Sequence, residues 1–412
     1  MIAQTQEFYD LLGQGLAGLG FEDNSEASAL SQYIDTYFAD KYNADATMAT
    51  AGFPLNPNVK MSDFYEHIES SVRPYTIASH VDMDSDGPVK GHGEVTLGAG
   101  TIPTWKHRTV TGRKDVKDEL RLAKRLGGAD AQIIDSFMNL FFDSTDKLIG
   151  GNYNTMLYLR NMIVSTGKIK IDASNNPAGI PLSIDFCADY RTKHTTTSTW
   201  YTKNDTTGVV TQDAAVGAAG ASGIDPIALM RSIRTKAQLG SDHLPLTCHW
   251  ECDYLTWEAI LAMPYFRQYY TIATRPDISD ATNQLIYGRT IDDDVFKGWF
   301  EKLIGSKVVV NDNMASIEKI NETTHKTEFV DMRGFEEGTF VLVPDGDLGD
   351  SQFASPFAIG SSATRVAYFD GGRTMIRTVF DDEHMTYSNK SEFTGIPVPN
   401  KTRWQYFLKI KG

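Results

Sequence analysis

The chain holds 412 residues, 41% hydrophobic and 11% aromatic, with a formal net charge of −14. That length is about three domains' worth of material, and that apolar content excludes a disordered chain. The acidic balance speaks against a dedicated nucleic-acid binder, because free DNA is repelled at long range.

The N-terminus, MIAQTQEFYDLLGQGLAGLGFED, carries Glu7 and Asp10 early and has no basic start, so it does not read as a secretory signal. No run of about 18 apolar residues follows anywhere, so no membrane-spanning helix is expected. A cytoplasm, or something assembled in one, is the expected location. Two short amphipathic pieces, about Gln6–Leu19 and Ser25–Tyr42, are too short to own a core. They predict an arm, over 1–60, that packs on something else.

From about Tyr75 to Val110 the chain alternates like two strands around a Gly-rich tip, SDGPVKGHGE, and reads as a long hairpin within an extended loop, 61–112. The tip holds Asp82, Asp84, Asp86 and Gly87, positions one, three, five and six of a calcium loop. Position twelve is Gly93 rather than Glu, and the flanks are strand-like. A hydrophilic hairpin tip is therefore preferred to a calcium site. The glycines Gly91, Gly93, Gly98 and Gly100 lack the helix start and Lys-Ser/Thr pair of a phosphate cradle. A basic run comes next, with Lys106, Arg108, Arg113, Lys114, Lys117, Arg121, Lys124 and Arg125. Two readings stay open for it. It contacts an acidic face of an identical neighbour, or it is a solvated helix face, since Asp115, Asp118 and Glu119 are interleaved. Nucleic acid is disfavoured, because no aromatic platform beyond Trp105 accompanies the charges.

Ala129 to Ile171 is the strongest signal. Ile133, Phe137, Phe141, Leu148, Met156, Leu159 and Ile163 recur at helical spacing, and Ile134, Leu140, Leu157 and Met162 widen the stripe. A helix of roughly 35 residues and about 50 Å is predicted. Gly150-Gly151 should interrupt and bend it. Thr166-Gly167 should stop it, before Lys168-Ile169-Lys170-Ile171 alternates as a strand. Ile180–Tyr190 reads as another strand, followed by a Thr-rich polar stretch and a small-residue linker.

From Asp225 the pattern becomes mixed α/β. Asp225 and Pro226 open a helix. LPLTCHWECDYL reads as a strand entering a further helix. VFKGWFEKLIG is a helix, and KVVVND, EFVDM, GTFVLVPDG, RVAYFD, RTMIRTVF and WQYFLKIK are strands. His243, Cys248, His249 and Cys252 could suggest zinc, but the spacing suits one tetrahedral site poorly. Alternation puts Cys248, Trp250 and Cys252 on one face, opposite His249, so a buried strand is preferred. With Cys187 the cysteines number three, which fits a reducing compartment without a disulfide framework. The carboxylates Asp292, Asp293 and Asp294, and Asp381, Asp382 and Glu383 with His384, read as helix starts or solvated loops rather than metal or acid/base sites. No nucleophile elbow, triad or zincin spacing occurs. No catalytic, cofactor-binding or metal-ligating residue is assigned, and a structural role is favoured over an enzyme.

Two segments, in this order, carry a resemblance, and a weaker third match follows. They are GHGEVTLGAGTIPTWKHRTVT with Pro103, Lys106 and His107, YNTMLYLRNMIVSTGKIKIDA with Thr166, Gly167, Lys168 and Ile169, and GTFVLVPDGDLG. Together they resemble the major capsid proteins of tailed bacteriophages, the Hong Kong 97-type fold, most closely its lambda-type branch. One departure is Tyr158-Leu159-Arg160, which stands where that family has an acidic residue.

The resemblance implies an α+β fold with an N-terminal arm (1–60), an extended hairpin loop (61–112), a peripheral domain with a long spine helix (113–212), an axial domain (213–360) and a C-terminal return to the peripheral domain (361–412). It implies a self-assembling icosahedral shell of hexamers and pentamers around phage dsDNA, located in the virion and assembled in a host bacterial cytoplasm. The implied partners are further copies of the chain, a separate scaffolding protein, a portal at one vertex and a decoration protein, with no cofactor. Expected subunit-interface residues are Trp105, Lys106, Arg108, Arg113, Lys114, Lys117, Asp82, Asp84 and Asp86, with the spine bend at Gly150 and Gly151. The rivals are a cargo-enclosing bacterial shell of the same fold, a metal-dependent enzyme using the Asp82–Asp86 loop or the His243–Cys252 cluster, and a secreted carbohydrate-binding module suggested by the Thr-rich stretch.

Overall fold

The computed structural model describes residues 52–56, 58–70, 95–111, 130–176, 179–186, 188–204, 206–220, 222–239, 247–278, 280, 283, 292–320, 327–356, 364–369, 372–381, 386–400 and 405–412. Side chains of 67–97, 111, 130–146, 189–190, 238–239, 320, 327, 364–369, 378–381 and 386–387 lie outside this description, as do residues 1–51 of the arm expected over 1–60. The chain divides into two compact units. One comprises Met1–Glu66, Ala99–Leu157 and Asp350–Val398. The other comprises His67–Gly98, Tyr158–Gly349 and Pro399–Gly412.

Strand β1 (Phe64–Ser70) pairs with β2 (Val95–Thr101), and β3 (Thr104–Thr111) follows at once. The stretch expected as one returning strand is thus two. Pro103 lacks the N–H a ladder needs and breaks it there. Ile102 is buried and donates its N–H to Asp63 O at 2.8 Å.

Helix α1 (Asp130–Thr166) has 37 residues, or about 55 Å at 1.5 Å per residue. It runs without interruption through Gly150-Gly151, so the expected break is not there. Leu148, Met156, Leu159 and Ile163 of the predicted stripe are buried. Gly167 ends the helix in the left-handed region (φ 70°), with its N–H on Ile163 O at 2.7 Å. Strand β4 (Lys168–Ile171) then pairs antiparallel with β5 (Leu182–Asp185). The strand expected to reach Tyr190 gives way to a short helix, α2 (Ala188–Lys193). The Thr-rich stretch becomes β6 (Thr195–Lys203), paired with β7 (Val210–Gln212). β-Branched threonines suit a half-buried pleated surface.

Helix α3 (Pro226–Leu239) opens as expected. Asp225 Oδ1 accepts the N–H of Ile227 and Ala228, both at 3.0 Å. Strand β8 (Cys248–Asp253) leads through the Asp253 N-cap into α4 (Tyr254–Ala262), and Pro264 starts α5 (Pro264–Thr274). Helix α6 (Asp293–Ile304) returns the chain to β9 (Lys307–Asn311), which lies parallel to β8. A parallel pair needs such a crossover. A two-stranded antiparallel sheet follows, β10 (Met314–Ile320) with β11 (Thr327–Arg333).

Strand β12 (Thr339–Pro344) is buried along its whole length. After it come β13 (Gly349–Ala354), β14 (Thr364–Phe369), β15 (Thr374–Asp381), β16 (Thr386–Pro399) and β17 (Tyr406–Lys411). The six-stranded sheet of the second unit runs β7-β6-β17-β12-β8-β9. Its core holds Trp200, Trp250, Phe266, Phe300 and Phe340 at 0% exposure. The rings mesh edge-on, with Trp257 5.7 Å and Phe266 5.6 Å from Phe300 between centroids.

In the first unit the sheet runs β13-β16-β15-β14, and β3 also pairs with β16. Residues 53–60 run beside β13, with Phe53 buried and Lys60 N–H on Phe353 O at 2.9 Å. No described helix is long and apolar enough to cross a membrane.

Candidate subunit-contact surface and the polar lock

Strand β3 positions three of the expected contact residues. Its alternation sends Thr104, Lys106, Arg108 and Val110 to the exposed face and Trp105, His107 and Thr109 to the other. Trp105 is half-buried and donates Nε1–H to Gly395 O at 3.0 Å. Lys106 pairs with Glu392 of β16 at 2.9 Å. Arg108 donates Nε–H to Ser388 Oγ at 2.9 Å. Each of the three therefore has a partner within its own chain. Arg113, Lys114, Lys117, Arg121, Lys124 and Arg125 lie outside the described residues, as do Asp82, Asp84 and Asp86 at the hairpin tip.

On the inner face, β3 and β16 meet α1. The His107 ring stands 3.3 Å from the place a Cβ on Gly151 would take. That approach is the use of this glycine seen in the structure. One residue on, buried Asn152 donates Nδ2–H to Ser391 Oγ at 2.9 Å and reaches Thr374 Oγ1 at 3.5 Å.

At its other end α1 enters a buried polar lock that the sequence did not announce. Arg160 forks onto Glu251 of β8, one arm to Oε1 and the other to Oε2 at 3.0 Å. Glu251 is 1% exposed. Asn311 on the neighbouring strand β9 donates Nδ2–H to Asn161 Oδ1 at 2.7 Å and to Glu251 Oε1 at 3.2 Å. Asn161 returns a bond to Asn311 Oδ1 at 3.3 Å. Burial alone would raise the Glu251 carboxyl, but the Arg160 guanidinium and the Asn311 amide hold it below the usual carboxylate range. A second pair continues the same strands. Asp253 caps α4 and accepts from Arg333 at 3.3 Å, and Arg333 also holds Asp312 at 2.7 Å. Burial raises the Asp253 carboxyl, with the Leu255 N–H and Arg333 opposing.

The described members of the metal-like clusters have other partners. Cys248 and Cys252 are buried free thiols in the apolar core, raised by burial, with Trp250 between them. His249 points the other way and binds Asp345 Oδ1 through Nδ1 at 2.5 Å. His243 lies outside the described residues. Asp292 is the N-cap of α6, accepting Asp294 N–H at 3.0 Å, and Asp293 and Asp294 fill its first turn. Negative side chains are favoured there by the helix dipole. Asp381 ends β15, while Asp382, Glu383 and His384 are not described. No group of three or more His, Cys, Asp or Glu that could hold a metal occurs among the described residues.

No protein-family model matches the chain, and no curated protein does. Among solved structures, it is similar to a phage-related protein from Bordetella bronchiseptica RB50, at 11% identity and TM-score 0.42, over 92% of this chain and 95% of that one. It is similar to the putative capsid protein of a prophage of E. coli CFT073 at 12% identity and TM-score 0.41, over 77% and 79%. It is also similar to a chain of the satellite phage P4 procapsid, at 12% identity and TM-score 0.39, over 90% and 99%.

Proposed function

We propose that this chain is a shell subunit, a major capsid protein of the Hong Kong 97 type that closes into an icosahedral particle around phage dsDNA, and that it is not an enzyme. The observation that carries this reading is the segment Asp130–Ile171. The stretch whose sequence resembles a capsid spine folds as one 37-residue helix that stops at Gly167 and passes at once into strand β4. A spar of this kind offers more surface than one small core can cover, and identical neighbours are its natural cover.

In this reading the arm over 1–60 and the loop over 61–112 lie on adjacent copies. Helix α1 is the spine of a peripheral domain over 113–212, 213–360 forms the axial domain, and 361–412 returns to the periphery. Hexamers and pentamers are the building units. A separate scaffolding protein guides closure in the host bacterial cytoplasm, a portal occupies one vertex, and a decoration protein can bind outside. The loop and spine motifs favour the lambda-type branch of that fold. Sedimentation velocity of the purified chain, alone and with its neighbouring phage gene products, tests the reading. Large particles of discrete mass are expected. A monomer under every condition would refute it.

A further inference from the structure

The outer face of the β3–β16–β15 sheet carries an arrangement that a lone chain does not favour. Strand register places Arg108 opposite Lys390, and Lys390 opposite Arg377. Three cations therefore stand side by side on three neighbouring strands. At the usual spacing of about 4.8 Å the row spans roughly 10 Å. Like charges set directly opposite one another are destabilising. Arg108 and Lys390 are exposed, and Arg377 is half-buried. The rows on either side, among the described residues, are Lys106–Glu392–Met375 and Val110–Ser388–Val379. Glu392 is their sole carboxylate, and Lys106 already engages it at 2.9 Å. The opposite face of the same strands is covered by α1 through Asn152 and Gly151. The row thus sits on the side of this sheet that α1 leaves uncovered.

We infer that the Arg108–Lys390–Arg377 row seats an acidic segment of a second copy of this chain. This rests on the reading of the chain as a self-assembling subunit. Charge complementarity selects the partner. The chain carries 53 acidic against 39 basic residues, so another copy presents an excess of carboxylates while nucleic acid is repelled at long range. A carboxylate placed over the row offsets the repulsion among the three cations and gains charge-assisted hydrogen bonds from the two guanidinium groups. Lys390 and Arg377 extend the contact surface beyond the run of basic residues visible before α1, because a strand almost three hundred residues away in sequence lies against β3.

The test uses the full chain, prepared as equal parts natural-abundance and 15N-labelled protein, assembled and then treated with a zero-length carbodiimide. Mixed-isotope peptides joining Lys390 or Lys106 to an Asp or Glu of another copy are expected. Particles yielding only the internal Lys106–Glu392 link would overturn the inference. In parallel, Arg108→Glu with Lys390→Glu should weaken self-association about tenfold or more at physiological salt. The loss should shrink as salt rises, because exposed charges are screened within about 8 Å at that ionic strength. The milder Lys390→Gln should show a smaller loss of the same sign with an unchanged melting curve, separating contact from folding. Wild-type-like assembly of both variants at every salt overturns the inference while leaving the shell reading standing. A wild type that never assembles removes the shell reading itself. Row-dependent binding of a duplex DNA oligonucleotide, without an assembly defect, would reassign the row to nucleic acid.

Discussion

Gly151 and Glu251 show how single positions on or beside one helix are set by different forces. In an isolated helix Gly151→Ala should gain about 1 kcal/mol from propensity alone. Here the new methyl would meet the His107 ring at 3.3 Å, so the ring must shift and the gain is eroded. Chemical denaturation should show the full gain in a His107→Ala background and clearly less with His107 present. Equal gains in both would mean the close approach has no energetic consequence.

Glu251 is a buried charge paired with Arg160, and removing one side of such a pair costs about 3–5 kcal/mol. Glu251→Ala should destabilise by about that amount, and Glu251→Gln by less, because it keeps an acceptor for Arg160 and Asn311. The folded-state pKa of Glu251 lies below its unfolded value. Its contribution is therefore complete above the unfolded value of about 4.3 and drains away as pH falls through the folded one. Asp253 works in the opposite sense, since its pKa is raised by burial and its ionised form carries a cost. Urea midpoints from pH 7 to pH 3 should fall more steeply for the wild type than for Glu251→Gln. Parallel curves would remove Glu251 from the acid sensitivity.

At the scale of elements, local chemistry accounts for the helix starts. Asp225, Asp253 and Asp292 each accept backbone N–H groups that a helix leaves unpaired. Asp292→Ala should lower stability by about 1 kcal/mol, and added calcium or manganese should leave the melting temperature of the wild type unmoved. A metal-dependent rise would revive the acidic run as a ligand set, because a ligand that binds only the folded state stabilises it. The Asp225 cap, the apolar stripe at Leu148, Met156, Leu159 and Ile163, the Thr166-Gly167 stop and the buried face of β8 were legible in the sequence because each is a local pattern; the Asp253 cap was not. The cation row and the Arg160–Glu251 lock were not. Arg160 and Glu251 stand 91 positions apart, and no periodicity records which strand lies beside which. Strand β16 was hidden for another reason. Its run TYSNKSEFTGIPVP is polar for most of its length and contains two prolines, so it lacks the alternation of a half-buried strand. Pro103 was visible, but that β2 and β3 part there into different sheets was not.

Across the whole molecule, the chain divides into two compact units, each assembled from separate stretches of sequence, and within α1 Asp130–Leu157 falls in one and Tyr158–Thr166 in the other. The chain's buried ionic groups, Arg160 with Glu251 and Arg333 with Asp253, are spent on holding strands and helix together. In the proposed role the chain encloses a volume by repeating itself. Electron microscopy of the full chain, expressed with the proteins encoded beside it, tests this most directly. Closed, thin-walled particles of uniform diameter are the expected image. A field of dispersed monomers or shapeless aggregates, from soluble and folded protein, would contradict it.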